Sequence, residues 1–401
     1  MVSLPDLMLL NNLEKLELCS SPLTCLSTSG NGLPPALKQL KVRNCDKLKS
    51  LIAEEGIKIN GPSLQSISIS CCMRLKTLPD LTLLNNLEKL YLYSCPLTCL
   101  SSGSGLPPAL KELTVTECAE LKSLIAEEGI KIYCPSLESV EISDCVRLKT
   151  LPVVMQNNNG LKNLSRLKIN GCHNLESLPE GWFPTTDLHI VRCEKLEPLP
   201  NHAYSNNNLA SLEKLRLIKS PQLLSHIPDE GSSSCFTNLT SLFISDVDIG
   251  KLCGLHRLYS LRVLSLFYND WVSFREDWML SFPSSLVVLQ ICYFPNLEKL
   301  SFKDFENLVS LEQLEINNCP KLTAISELEH LPSLLNLEIS ECTNLASFPE
   351  QPLPPSLLSL HIKHCPMLWQ LFKKGKGQYW GFIAHIPQVM INHLFVFDPR
   401  W

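Results

Sequence analysis

The sequence predicts an α/β-type solenoid, in which short strands stack side by side into a parallel sheet. Three observations predict it. An apolar pattern, L-x-x-[LV]-x-[LIV]-x-x-[CN]-x-x-L, recurs from one end of the chain to the other, and its middle pair stands at period 2, the spacing of a strand with one buried face. Its copies begin at Leu13, Leu37, Leu64, Leu87, Leu110, Leu137, Leu164, Thr185, Leu212, Leu239, Leu261, Leu286, Leu311, Leu334 and Leu357, giving fifteen repeats spaced 21 to 27 residues apart. The segments between copies are rich in Pro, Asn, Ser and Gly, as in Gly105-Leu-Pro-Pro108 and Gln156-Asn-Asn-Asn-Gly160, which favours turns over long helices.

A unit this short lies in the leucine-rich-repeat range, below what two full helices or a four-stranded blade require. The expected architecture is therefore a leucine-rich-repeat horseshoe with a parallel sheet lining its concave face. Its convex side should be mostly coil with short 3₁₀ or α turns, and slightly more helix around Leu48–Gly56 and Leu121–Gly129. A chain of 401 residues exceeds one ordinary core, but a solenoid escapes that limit because each repeat buries its leucines against its two neighbours. Residues 1–365 are expected to form the solenoid. Within it, residues 5–78 and 79–151 are near copies, so a three-repeat block was duplicated. Residues 366–401 break the period with an aromatic segment, and are expected to form a carboxy-terminal cap and tail that cover the last leucines. No such cap stands at the front, which suggests a fragment or a preceding domain.

Apolar residues make up 45% of the chain and charged ones 19%, enough for a continuous core. The net charge of -5, with 35 scattered basic residues, argues against nucleic acid or an anionic membrane as partner. The sequence holds 18 cysteines, and ten of them (45, 72, 95, 118, 145, 172, 193, 319, 342 and 365) fill one repeat position. The other copies place Ser21, Ser220, Val247, Asn269 and Phe294 there. A repeated buried position reads as small hydrophobes with a weak donor, not as designed disulfides. With no basic n-region at the amino terminus and no span of about 18 apolar residues, a reducing, cytoplasmic location is expected.

The repeat form LxxLxIxxCxxLxSLP, clearest from Leu164 to Pro179, the LPPSLxxL linkers, and the ending CPxL…GxxYWxxIAHIPxVxI with Ile383-Ala-His-Ile-Pro387 carry a family resemblance. Together they resemble the leucine-rich-repeat region of plant intracellular disease-resistance proteins, the nucleotide-binding leucine-rich-repeat receptors of the coiled-coil class. The resemblance spans residues 1–392. It implies a sensing and autoinhibitory protein-recognition domain in defence against pathogens, with a pathogen effector, a host protein or a receptor's nucleotide-binding module as partner. The chain contains no G-x-x-x-x-G-K-[ST], and its tail from His393 to Trp401 differs from the family's ending, so ATP binding does not carry over and no cofactor is expected.

Other constellations carry little chemistry. His361-x-x-His364-Cys365 has a ligand-like look, but residues three apart on a strand point to opposite faces. The pairs Glu54-Glu55 and Glu127-Glu128 belong to the duplicated block and read as solvated loops, and Lys373-Lys-Gly-Lys376 as a solvated turn. No nucleophile and base can be singled out from the repetitive background, so no enzyme and no metal site are expected. A substrate-recruiting repeat domain of a ubiquitin ligase is the alternative, although that class carries more regular repeats with a helix in each. An extracellular ectodomain is opposed by the missing signal and the unpaired cysteines.

The informative positions are the outward ones on each strand, before, between and after the inward pair. In ordinary copies these are polar, as in Glu112, Thr114 and Thr116 or Gln313, Glu315 and Asn317. Repeats nine to twelve instead offer Ile218, Phe243, Val263, Phe267, Val288 and Cys292 outward, with Arg216 beside them. Strands lie about 4.8 Å apart, so these form one patch, and a large apolar patch on such a face marks a contact site. The competing expectation is that an irregular segment such as Phe282–Ser285 folds over it. Tyr91 and Tyr93 form a second, smaller candidate.

Overall fold

The computed structural model describes residues 7–26, 32–52, 58–101, 105–125, 131–154, 160–179, 182–197, 209–220, 236–246, 255–274, 282–303, 305, 307–348, 353–372, 377–392 and 394–395. The chain divides into two compact units, Met1–Leu212 and Glu213–Trp401.

The first unit is a ladder of five-residue strands: β1 (Lys15–Cys19), β2 (Gln39–Arg43), β3 (Ser66–Ser70), β4 (Lys89–Tyr93), β5 (Glu112–Thr116), β6 (Ser139–Ser143), β7 (Arg166–Asn170) and β8 (Asp187–Val191). Each pairs with the next in parallel and without slip, so that Leu40, Ile67, Leu90 and Leu113 face one another along the inner row. The second unit continues the motif with β9 (Lys214–Ile218), β10 (Ser241–Ser245), β11 (Val263–Phe267), β12 (Val288–Cys292), β13 (Lys299–Ser301), β14 (Gln313–Asn317), β15 (Ala324–Ser326), β16 (Asn336–Ser340), β17 (Ser359–Lys363), β18 (Gln388–Ile391) and β19 (Leu394–Phe395). Here β9 to β12, β14, β16, β17 and β18 form the parallel ladder, while β13 and β15 pair as a second, smaller one.

The repeat count therefore differs slightly from the sequence reading. β18 adds a parallel rung beyond the copy that begins at Leu357, and β19 turns back antiparallel on it.

Two turns recur along the repeats. The leading leucine donates its N–H to the carbonyl three residues earlier, as Leu110 does to Pro107 at 3.2 Å and Leu357 to Pro354 at 3.0 Å, which is why the Pro-Pro linkers stand where they do. The leucine after the cysteine closes a second turn, Leu148 to Cys145 at 3.1 Å. Both leucines are fully buried, so the turns aim them into the core that the strand's inner pair also fills.

The strand ends explain the cysteines. The residue after the strand adopts a left-handed conformation in copy after copy, among them Asn44 (φ 53°), Asp144 (φ 53°) and Gly171 (φ 64°), and its N–H donates to the last strand carbonyl of the following repeat. Asn44 thus donates to the carbonyl of Ser70 at 3.0 Å, and the Cys72 thiol donates to the same oxygen at 3.5 Å. A carbonyl oxygen has two lone pairs, and both are used. In two of the copies without cysteine a donor remains: Ser220 Oγ reaches the carbonyl of Ile218 at 3.2 Å and Asn269 Nδ2 that of Phe267 at 2.9 Å, whereas Phe294 offers none and packs against other rings. Burial pushes the Cys172 thiol up to about 12 and the Cys193 thiol up to about 11. The cysteines among the described residues are all free thiols.

The returning segments carry 3₁₀ turns at Leu7–Leu9, Leu255–Arg257 and Leu328–His330. The extra helix expected near Leu48 and Leu121 is not formed over Leu48–Ile52 or Leu121–Ile125. Lys49 donates instead to the carbonyl of Thr24, and Ile125 bridges Ser101, so these stretches join the neighbouring repeat in extended form. The remainder of both stretches, with Glu54-Glu55 and Glu127-Glu128, lies outside the described residues. Beyond Cys365, α1 (Pro366–Leu371) and α2 (Trp380–Ile383) are short helices that bury Leu368, Phe372, Tyr379 and Ile383. Lys373–Lys376 lies outside the described residues.

Candidate recognition surface

The period-2 alternation carries Arg216, Phe243 and Phe267 onto the outward side of neighbouring strands of the second unit. β9, β10 and β11 pair so that Phe243 stands opposite Arg216 on one side and Ser265 on the other, with Phe267 diagonal to it beside Ser245. The two phenylalanine rings stack with centroids 6.2 Å apart and planes 9° apart. The Arg216 guanidinium carbon lies 4.9 Å from the Phe243 ring centroid, within cation–π range. The result is a continuous stack of guanidinium, ring and ring. Ser245 and Ser265 occupy outward positions beside the rings and are buried.

Ile218, Val263 and Val288 flank the stack as half-buried side chains, with Val263 and Val288 directly paired. Cys292 departs from the expectation of an offered side chain. It holds an outward position beside Phe267 yet is buried, and burial together with the Glu315 carboxylate pushes its thiol up to about 12. A row of side chains runs on from Ser265, whose hydroxyl donates to Gln290 Oε1 at 2.5 Å. Gln290 Nε2 in turn donates to Glu315 Oε2 at 2.7 Å. The stack is thus bordered by ordered polar groups.

Phe282 does not fold over this surface. It is buried and packs edge-on to Phe305 at 5.0 Å, within a cluster that includes Trp271, Phe274, Phe294 and Phe302. The aromatics of repeats ten to twelve therefore sort into an inner cluster and an outer stack. Trp278 and Val247 lie outside the described residues.

Two further rings sit beside the stack that the period-2 pattern did not point to. Tyr268 and Tyr293 follow β11 and β12 and stack with centroids 4.6 Å apart. They are 52% and 37% exposed, which makes them the more open half of the aromatic series. The signal available in the sequence was a tyrosine placed just before the cysteine position in two consecutive copies.

Tyr91 and Tyr93, in the first unit, are tied by their hydroxyls. Tyr91 donates to Glu112 Oε2 at 2.5 Å, and Lys89 donates to the other oxygen at 2.9 Å. Tyr93 donates to Glu117 at 2.9 Å. The Tyr91 bond holds the Glu112 carboxyl below the usual range, and burial raises the Tyr91 phenol. His361 Nε2 lies 3.2 Å from Ser359 Oγ, His364 is exposed, and the Cys365 thiol donates to the carbonyl of Lys363, so the three diverge. Among the described residues no group of three His, Cys, Asp or Glu could hold a metal ion, and no helix is long and apolar enough to cross a membrane.

A groove of about 600 Å³ lies at the leading ends of the strands, lined by residues including Tyr259, Arg262 and Glu312. Its serines serve the fold: Ser260, Ser285 and Ser333 donate to carbonyls of the preceding repeat at 2.5, 2.8 and 2.7 Å.

The parallel ladder, the paired turns and the cysteine rows decide the architecture. The chain is a leucine-rich-repeat solenoid. In an alignment 326 residues long that covers 72% of this chain, it is 32% identical to a curated Arabidopsis thaliana protein named as a candidate disease resistance protein. The chain spans about a fifth of that relative's length, 20%. The similarity is thus to a plant resistance protein, and the matching stretch of this chain is leucine-rich repeat. No family model matches. Among solved structures, the leucine-rich-repeat domain of the type III effector XopL covers 66% of this chain and 72% of its own at 19% identity and a TM-score of 0.37. A leucine-rich-repeat protein of Leptospira interrogans covers 85% and 94% at 18% and 0.35. YopM of Yersinia enterocolitica covers 89% and 79% at 19% and 0.35.

Proposed function

We propose that this chain is a protein-recognition domain of a plant immune receptor, non-catalytic, acting in the cytoplasm, and that it engages its partner through the outward sheet face of the second unit. The observation that carries the reading is the Arg216–Phe243–Phe267 stack on a face whose ordinary positions are polar. Aromatic and arginine side chains concentrate binding energy at protein interfaces, and a large apolar group held on a rigid strand loses little freedom when a partner covers it. The similarity to a plant resistance protein supports the biological setting.

In mechanism, the domain biases a two-state switch located elsewhere. It holds a nucleotide-binding module in one state until a pathogen-derived or host protein competes for the same surface. Such competition works only if the two partners cannot bind together. Co-precipitation of the chain with a separately expressed nucleotide-binding module of the matched type tests this. Capture of the module, and its release by a competing effector, is the expected result. Failure of the module to bind at any concentration would count against the autoinhibitory part, and failure of every effector against the sensing part.

A further inference from the structure

The position after each strand imposes a left-handed backbone, which residues other than glycine adopt at a cost; asparagine, aspartate and histidine tolerate it best. Asn44, Asp144, Gly171, Asp246 and Asn318 stand there in some copies, Ser20, Cys71, Ser94, Glu117, Arg192, Lys219 and Glu341 in others, and Tyr268 and Tyr293 hold bulky rings there at φ 51° and 61°. The two rings stack 4.6 Å apart, 18° from parallel, and are among the exposed aromatic side chains. Two acidic residues stand close to Tyr268 in register and sequence. Asp246 holds the same repeat position as Tyr268 on the neighbouring strand, one residue past the Ser245–Phe267 pair, and Asp270 follows Tyr268 by two residues. Both are exposed, and neither has a side-chain partner among the described residues.

A flat aromatic surface beside carboxylates suits one side chain above others. The guanidinium group is planar and weakly hydrated, stacks on ring faces, and pairs with a carboxylate through two parallel hydrogen bonds. An ammonium can do the second less well and the first only as a point charge. The same series already shows half of this arrangement, with Arg216 stacked on Phe243.

We propose that Tyr268 and Tyr293, with Asp246 and Asp270, form a receptor for an arginine side chain presented by the recognised protein. This rests on the proposed recognition role of the second unit's outward face and names the chemistry of what binds there. The partner's arginine stacks on the open tyrosine surface while its apolar neighbours reach Phe267.

The probe is a capped tripeptide, acetyl-Leu-Arg-Leu-amide, compared with its lysine and citrulline counterparts by saturation-transfer NMR on the full chain. Citrulline keeps the shape and loses the charge. The expected result is millimolar binding of the arginine peptide, at least tenfold weaker binding of citrulline, and an intermediate value for lysine. The variant Y268N/Y293N should lose the arginine peptide while melting no lower than the parent, because asparagine tolerates the left-handed conformation. D246N should weaken binding several-fold and flatten its salt dependence. Equal binding of arginine and citrulline peptides, no binding of either, or parental affinity in Y268N/Y293N would overturn the proposal. If the chain still captures a nucleotide-binding module while the arginine peptide does not bind, this inference falls and the recognition role stands.

Discussion

The hydroxyl of Tyr379 satisfies both main-chain groups of Phe348: it donates to the carbonyl at 2.8 Å and receives the N–H at 3.3 Å. Both residues are buried, and the Phe348 ring packs edge-on against Phe372 at 5.3 Å, so the segment after the last cysteine is bonded to the copy that begins at Leu334.

Replacing Tyr379 by Phe keeps the ring and removes the hydroxyl, leaving a buried N–H and a buried carbonyl unpaired. Unsatisfied groups of this kind cost about 1–3 kcal/mol. A urea titration should show a lower midpoint with an unchanged slope. Deleting 366–401 goes further: β17 loses its β18 partner, and Leu360 and Ile362 lose the Val389 and Ile391 that face them. Light scattering of a chain ending at Cys365 is expected to show aggregation; a monodisperse product with unchanged melting would mean that the segment does not act as a cap.

The thiol rows give the chain an alkaline sensitivity. Burial disfavours the thiolates of folded Cys172 and Cys193 and pushes the two groups up to about 12 and about 11, while unfolded thiols titrate at about 8.5. A pKa raised in the folded state contributes stability that is complete below the unfolded value and is lost as pH rises toward the folded one. Stability should therefore be insensitive to these groups below about pH 8.5 and fall progressively above it. Denaturation midpoints measured in reductant should show this, with a shallower decline in C172V/C193V. An identical slope in that variant would contradict the assignment.

Gly171 stands at the left-handed position with φ 64°, and an added Cβ would lie 2.2 Å from Asp144 Oδ1. Gly171→Ala is expected to cost about 1–2 kcal/mol from backbone strain alone. Gly171→Asn must displace Asp144 as well, but tolerates the conformation better. A smaller loss for asparagine than for alanine in thermal melts isolates the backbone contribution.

Much of this architecture was legible in the sequence because the inner pair of each strand, such as Val140 and Ile142, repeats with its flanking leucines, and burial of that face fixes the register. β18 was not. Gln388-Val-Met-Ile has the alternation but lacks the flanking leucines, so only its pairing with β17 reveals it. The left-handed position was equally hidden, since serine, aspartate, arginine, lysine and tyrosine all occupy it and the backbone alone makes them equivalent. Phe243 and Phe267 could be named from alternation. Burial of Cys292 could not, because it depends on a ring and a carboxylate contributed by neighbouring strands. Tyr268 and Tyr293 escaped for a related reason: they lie one residue past the strands, where period 2 no longer assigns a face.

The central claim is that Phe243 and Phe267 serve recognition rather than the core. The most direct test replaces both by serine and measures melting and capture of the nucleotide-binding module or effector side by side. The account predicts association weakened by a few kcal/mol, as for interface hot spots, with a much smaller loss of stability. Unchanged capture together with a fall in stability of the size seen for core truncations, about 3–5 kcal/mol per phenylalanine, would contradict it.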